Sequence, residues 1–188
     1  MRRDLEYIDN EEFNQLKDLQ IAEYDVCQFT NCNFNELNLS GYIFSECEFI
    51  DCDLSLAKLD NTSFKDVRFV NCKLLGLRFE DCNAFLLKLY FENCLLNMAS
   101  FYKMKLTGQI FKNCQLHECD FVECELSKSY FTGSDLSGAI FENTNLGGAV
   151  FLDAKNYSIH PIQNNIKNAN FSSDNLAGLL DFAKIKID

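Results

Sequence analysis

The stretch from Phe131 to Phe151 reads FTGSDLSGAIFENTNLGGAVF. Phe or Leu stands at every fifth position, at Phe131, Leu136, Phe141, Leu146 and Phe151. A small residue stands two places before each: Ser129, Ser134, Ala139, Thr144 and Ala149. Toward the N-terminus the same beat runs back without exception through Leu126, Phe121, Leu116, Phe111, Leu106, Phe101 and Leu96 to Phe91. Beyond a break it runs from Phe79 through Leu74, Phe69, Phe64, Leu59, Leu54, Phe49, Phe44, Leu39 and Phe34 to Phe29. The Phe or Leu is position i. All ten cysteines of the chain fall at i−2 of this fivefold grid, Cys82 at the break, where the grid position is Ala84.

A period of five fits no ordinary element. On an α-helix, five residues advance about 140° beyond a full turn, so the apolar residues would spread over every face. On a flat strand an odd period throws successive residues to opposite faces. Residues i−2 and i share one face of an extended segment. The next pair shares that face only if the chain turns a corner in the remaining three residues. Each pentad is therefore a short strand plus a bend, and many in series make a coil that stacks on itself. A longer repeat gives the turn length. The phrases FTNCNF, FIDCDL, FVNCKL, FENCLL and FKNCQL begin at Phe29, Phe49, Phe69, Phe91 and Phe111, in steps of 20, 20, 22 and 20. Four pentads make one coil, and two extra residues fall within 84–90.

The pattern from Phe131 to Phe151 resembles the pentapeptide-repeat family, whose consensus is Ala-Asp/Asn-Leu-x-x, over roughly Tyr24 to Ala154. The resemblance implies an all-β fold, a right-handed quadrilateral β-helix with i and i−2 pointing inward. Three segments are expected. Residues 1–23 form a cap, a short helix or a first irregular coil. Residues 24–154 form a rod of about six coils, roughly 30 Å long at the inter-strand spacing. Residues 155–188 form a loop and a short C-terminal α-helix, N-capped by Ser172 or Ser173.

In this register Cys32, Cys52, Cys72, Cys94 and Cys114 make one ladder, and Asn31, Asp51, Asn71, Asn93 and Asn113 make another beside it. Zinc needs converging ligands, whereas a ladder of inward thiols is linear and the two histidines, His117 and His160, lie elsewhere. Parallel stacked side chains lack the approach a disulfide prefers. Cysteine reads as a small hydrophobe filling a narrow interior. The Asn/Asp ladder reads as corner chemistry, side chain to backbone.

Lys+Arg 17 against Asp+Glu 28 gives a net charge of −11. Nucleic acid and anionic lipid share that sign, so basic partners are expected. The start, MRRDLEYIDN, lacks the apolar region of a signal peptide. With ten cysteines this gives the expectation of reduced thiols in a cytoplasmic protein. No catalytic, cofactor or metal motif is present, so a non-enzyme without cofactors is expected.

Function then lies on outward residues. One face collects Glu36, Asp60, Glu80, Asp81, Glu118, Asp120, Glu123 and Glu142 against Lys58, Arg78 and Lys103, eight anions to three cations, net −5. The opposite face carries an apolar stripe, Tyr90, Ile110, Tyr130 and Val150, with two candidate covers: the chain's own tail, through Leu176, Leu179 and Leu180, or a second copy. Within the family, the Qnr-type quinolone-resistance proteins look most similar. That resemblance implies a DNA mimic that binds DNA gyrase or topoisomerase IV, protects it from quinolones or toxins, and dimerises through its C-terminal region. The contacts expected are the acidic face and the bulge Phe85, Leu86, Leu87, Lys88, Leu89 and Tyr90. Qnr proteins of the better-known type carry projecting loops, where this chain has only a two-residue bulge. The alternative is a non-catalytic interaction scaffold or a toxin-immunity protein.

Overall fold

A computed structural model of the protein describes residues 5–186. Residues 1–4 of the expected N-terminal segment and 187–188 of the expected tail lie outside the described residues. Among the described residues run twelve short strands. They are β1 (Glu6–Asp9), β2 (Glu12–Asn14), β3 (Ala22–Asp25), β4 (Gln28–Thr30), β5 (Ile43–Ser45), β6 (Glu48–Ile50), β7 (Ser63–Lys65), β8 (Val67–Val70), β9 (Leu89–Glu92), β10 (Ile110–Lys112), β11 (Val150–Phe151) and β12 (Asn170–Phe171). All pairing is parallel. One face carries β1-β3-β5-β7, and the next carries β2-β4-β6-β8-β9-β10, with β11-β12 at its far end. The other two faces are ladders of single-residue bridges, such as Arg78↔Ser100↔Asp120↔Ile140.

Each bend is one left-handed residue. At Asn31, Asp51, Asn71, Asn93 and Asn113 φ lies between 52° and 55°. Asn, Asp and Gly tolerate that region best, which is why an Asn/Asp ladder stands at this corner. The bonds from side chain to backbone come instead from position i−1, a correction to the expected corner chemistry. The side-chain oxygens of Asn33, Asp53, Asp120, Asp135 and Asn145 each accept the N–H two residues on, at 2.8–3.2 Å. A left-handed side chain swings away from its own bend, whereas the i−1 side chain lies across it.

The register is n↔n+20 through most of the rod, for example Phe29↔Phe49. It lengthens once, between β8 and β9, where Phe69 lies on Phe91. The rod is longer than six coils. The N-terminal segment is a shortened first coil rather than a helix, with Glu6 on Ala22 and Phe13 on Phe29, 16 residues apart. Its Phe13 ring stacks 5.0 Å from Phe29, and that contact holds the segment extended. At the other end the 20-residue register continues past Ala154 to Phe171, which lies on Phe151. Nine phenylalanine rings, from Phe13 to Phe171, thus form one stack with neighbouring centroids 4.7–5.5 Å apart. A second stack, Phe79, Phe101, Phe121 and Phe141, meets the first edge-on.

Nine cysteines are buried, Cys82 is half-buried, and all ten are free thiols. Each buried thiol also does a definite job. Cys47 Sγ donates to the Tyr24 carbonyl in the preceding coil, and Cys124 Sγ donates to Phe101 O. Thr62, Ser129, Thr144 and Asn164 occupy equivalent sites and donate in the same way to Leu39, Leu106, Phe121 and Phe141. Position i−2 thus favours a small group with one proton to give.

The C-terminal helix is 3₁₀ rather than α, over Ser173–Leu179 and Asp181–Ala183. The Ser172 hydroxyl makes no cap; it accepts the Asp153 N–H at 2.8 Å. The Gly178 carbonyl accepts the Ile159 N–H of the rod. A Cβ at Gly178 would collide with the Tyr157 carbonyl oxygen, so only glycine fits there. Backbone groups spent on the rod are lost to an α-helical ladder.

Phe111 stacks between Phe91 and Phe131 and meets Phe101 and Phe121 edge-on. Phe111→Ala is expected to cost about 3–5 kcal/mol in guanidinium unfolding. Cys124→Ser keeps the donor and is expected to cost about 1 kcal/mol or less. Burial pushes the thiols of Cys47, Cys119 and Cys124 up to about 12. An unfolded thiol ionises near 8.5, so the stability these groups contribute is complete below that pH and is lost as pH rises toward about 12. The melting temperature should fall across that window, and replacing all three by Ser should flatten the fall.

Candidate interaction surfaces

The eight expected carboxylates do lie on one side of the rod, but they are not equivalent. Glu36, Asp60, Glu118, Glu123 and Glu142 are exposed, and Glu80, Asp81 and Asp120 are half-buried. Arg78 sits between two of them, with Nη2 3.3 Å from Glu80 and Nε 2.9 Å from Asp81. Lys103 lies 3.4 Å from Glu123. Such exposed pairs add little stability, yet they cancel charge locally. The expected acidic face is therefore divided. Its middle is neutralised, while Glu36 and Asp60 on one side, and Glu118, Asp120 and Glu142 on the other, have no cation partner among the described residues. Asp120 is partly structural, since its Oδ1 accepts the Val122 N–H. The tail adds to this side: Asp181 and Phe182 share a hollow with Glu142, Ile140 and His160.

The break begins where Phe79–Asp81 winds into a 3₁₀ turn instead of a left-handed corner. The chain then swings outward before it returns as β9. Phe85 and Leu86 project, 69% and 64% exposed. Lys88 is also outside, with Nζ 2.6 Å from Asp66. Leu87 is half-buried against the core. Leu89 is buried at i−2 within β9, so it is removed from the expected contacts; strand alternation turns it inward. Tyr90 is half-buried beneath the Arg68 guanidinium, 4.6 Å from its ring centre, and its hydroxyl donates to Glu92.

The detour also removes a rung. On this face the Glu125 N–H donates to Met104 O and the Asn145 N–H to Cys124 O. The corresponding bond one coil earlier, from the Lys105 N–H to Cys82 O, is missing, and that N–H finds no acceptor among the described residues. The β1-β3-β5-β7 sheet stops there. Two hollows flank Leu87, of about 330 and 410 Å³, and Lys105 lines both.

Tyr90, Ile110, Tyr130 and Val150 form the expected ladder. The tail does not cover it. Leu179 packs against the core at the rod's end, the segment rests on Tyr157 and Ile159, and Phe182 lies 4.4 Å from His160. Tyr130 stays 45% exposed, and Leu176 and Leu180 also face outward. Register continuity explains this: the last coil follows the rod past Val150 before the tail folds onto the opposite side.

The sequence model of the pentapeptide repeat region matches residues 22–101 and again 42–121, and that of eight-copy pentapeptide repeats matches 110–148. The chain belongs to the pentapeptide-repeat family. Among solved structures it is similar to a trypsin-treated variant of QnrB1, a plasmid-mediated fluoroquinolone resistance protein, with 20% identity over 98% of both chains and a TM-score of 0.50. It is also similar to HetL from the cyanobacterium Nostoc, a pentapeptide-repeat protein involved in heterocyst differentiation regulation. There the identity is 17% over 88% of this chain and 83% of that one, with a TM-score of 0.54. At these identities the likeness is one of fold. No curated protein shows a significant sequence match to the chain.

One surface of this pentapeptide-repeat rod escaped the sequence reading. Along the corner that begins at Glu36, the left-handed residues are Leu56, Gly76 and Met98, followed by Glu118. Leu56 and Met98 are exposed, and the Leu56 side chain lies over Gly76. The signal was available, since all five residues stand at i+2. Reading that position for charge alone hides an apolar edge between two carboxylates.

Proposed function

We propose that this pentapeptide-repeat protein acts without catalysis, as an acidic mimic of duplex DNA. The partner is a type II topoisomerase, DNA gyrase or topoisomerase IV, whose DNA-binding groove the rod occupies, protecting the enzyme from quinolones or toxins. The observation that carries this reading is the set of carboxylates without a cation partner on one side of the rod, Glu36 and Asp60 in the early coils and Glu118, Asp120 and Glu142 in the later ones. Along the nine-ring stack, about 40 Å long, residues 13–171 carry 20 carboxylates against 13 Lys and Arg, net −7. A basic groove that accepts duplex DNA attracts an acidic rod of this kind by the same charge complementarity. The stretch from Glu118 to Glu142, rich in unpaired carboxylates, is the part of the acidic side best suited to a basic groove, and Phe85 and Leu86 provide apolar contact beside it.

Supercoiling by gyrase, measured over a titration of the protein with and without a quinolone, tests the reading. Inhibition alone or rescue from the drug is expected. Glu118, Glu123 and Glu142 changed together to Lys should lose at least about tenfold in potency; Asp120 is left in place because it holds its own turn. Unchanged potency would remove the acidic face as the contact. Absence of binding, inhibition and rescue would sink the topoisomerase reading.

The same proposal assigns the C-terminal end to a second copy of the chain. Leu176, Leu180, Phe182 and Ile185 are exposed there together with Ile140, an apolar set that a symmetric contact would bury. Sedimentation should show a dimer that the double change Leu180→Asp and Phe182→Asp converts to a monomer. A wild-type protein that sediments as a monomer at tens of micromolar would refute the contact.

A further inference from the structure

We propose that the break builds a binding site for a small organic monoanion with a flat apolar body. The inference rests on the hollow beside Leu87 and is independent of the topoisomerase reading.

Charge decides the class of ligand. Three cations line the hollow: Arg68, Lys88 and Lys105. Lys88 is occupied by Asp66 at 2.6 Å. Arg68 lies 3.4 Å from Glu48 and stacks on Tyr90. Lys105 has no carboxylate partner among the described residues. One positive charge is therefore left over at this point of a chain that carries −11 overall. A single carboxylate would neutralise it, and a second negative charge would find no cation free.

The polar groups around it are also unspent. The Lys105 N–H lost its carbonyl to the detour of the chain and stands as a free donor. Gln109 is 6% exposed and lines the hollow. Its Nε2 donates to Leu89 O at 2.6 Å and to Ile110 O at 3.4 Å. Its Oε1 takes no hydrogen bond from the described residues, which leaves an acceptor facing the hollow for a ligand N–H or O–H. Leu87, Ile110 and the Tyr90 ring, one face of which lies under Arg68, supply the apolar part of the wall. Gly108 keeps one side open, with nothing within 4 Å of where a Cβ would stand. A volume of about 330 Å³ is at the small end of ligand sites and suits a one- or two-ring molecule.

Indole-3-carboxylate combines a planar body, one carboxylate and one N–H, and serves as the probe. Titrated into the ¹⁵N-labelled full chain, it is expected to give saturable shifts at the amides of Lys105, Thr107, Gly108 and Gln109. Indole-3-carboxamide should bind at least about tenfold more weakly. Lys105→Glu, a change at an exposed side chain, should weaken binding at least about tenfold with the melting temperature unchanged. The proposal is overturned if no saturable shift appears by about 10 mM, if the shifts cluster elsewhere, or if the carboxamide and the Lys105→Glu protein bind as well as the originals.

Discussion

Every turn of the rod depends on corners held near φ +55°, and few of them are glycine. Asn and Asp suit that conformation, but Leu56, Met98, Lys103, Glu118 and Lys128 adopt it too. For ordinary residues the left-handed region costs roughly 1–2 kcal/mol. What offsets it is the inward pair between corners. A fully buried Phe or Leu side chain contributes about 1.5–3 kcal/mol, and its i−2 neighbour adds to that. Asn, Asp and Gly fill 18 of the 30 left-handed positions among the described residues, and where another residue stands the corner is bent by its neighbours against its own preference. The same balance explains why the break forms where it does. Around 84–90 the inward beat falters, nothing draws the corner at Asp81 into the left-handed region, and the chain winds into a 3₁₀ turn instead.

The interior makes a second demand that apolar packing alone does not meet. Stacked parallel coils leave carbonyls pointing into the core, and a buried carbonyl without a donor is unfavourable. A thiol, a hydroxyl or a carboxamide at i−2 supplies the proton without widening the rod. The nine buried cysteines therefore report a geometric niche. Burial that pushes the thiols of Cys47, Cys119 and Cys124 upward also keeps those three protonated, hence poor nucleophiles.

The repeat made most of the fold legible. The fivefold beat placed Phe111 and Cys124 inside, and the single step of 22 located the lengthened register at β8 and β9. The two ends were less legible because they carry their information differently. The first coil is four residues short, so Phe13 belongs to the ring stack without standing on the 20-residue grid. The tail reads as an amphipathic helix, but the Gly178 carbonyl is taken by the Ile159 N–H of the rod and the segment is 3₁₀, and a sequence pattern does not reveal that bond. Surface chemistry was the least legible. Outward residues have no period to obey, so the pairing of Arg78 with Glu80 and Asp81 shows only once the coils are stacked.

A regular solenoid offers no concavity, because each coil covers the last and every backbone rung is filled. A ligand site in such a rod requires a violation of register. This chain violates it beside Leu87, where Lys105 loses its rung, and at the end, where the tail leaves the coil and makes a hollow around Phe182. Between those two places lie the carboxylates that no cation neutralises, Glu118, Asp120 and Glu142. The regular coils hold these residues at fixed spacing, and the irregular ones provide apolar contacts and free hydrogen-bonding groups on either side. In a repeat protein of this kind, chemistry beyond charge therefore has to come from the few residues that break the repeat.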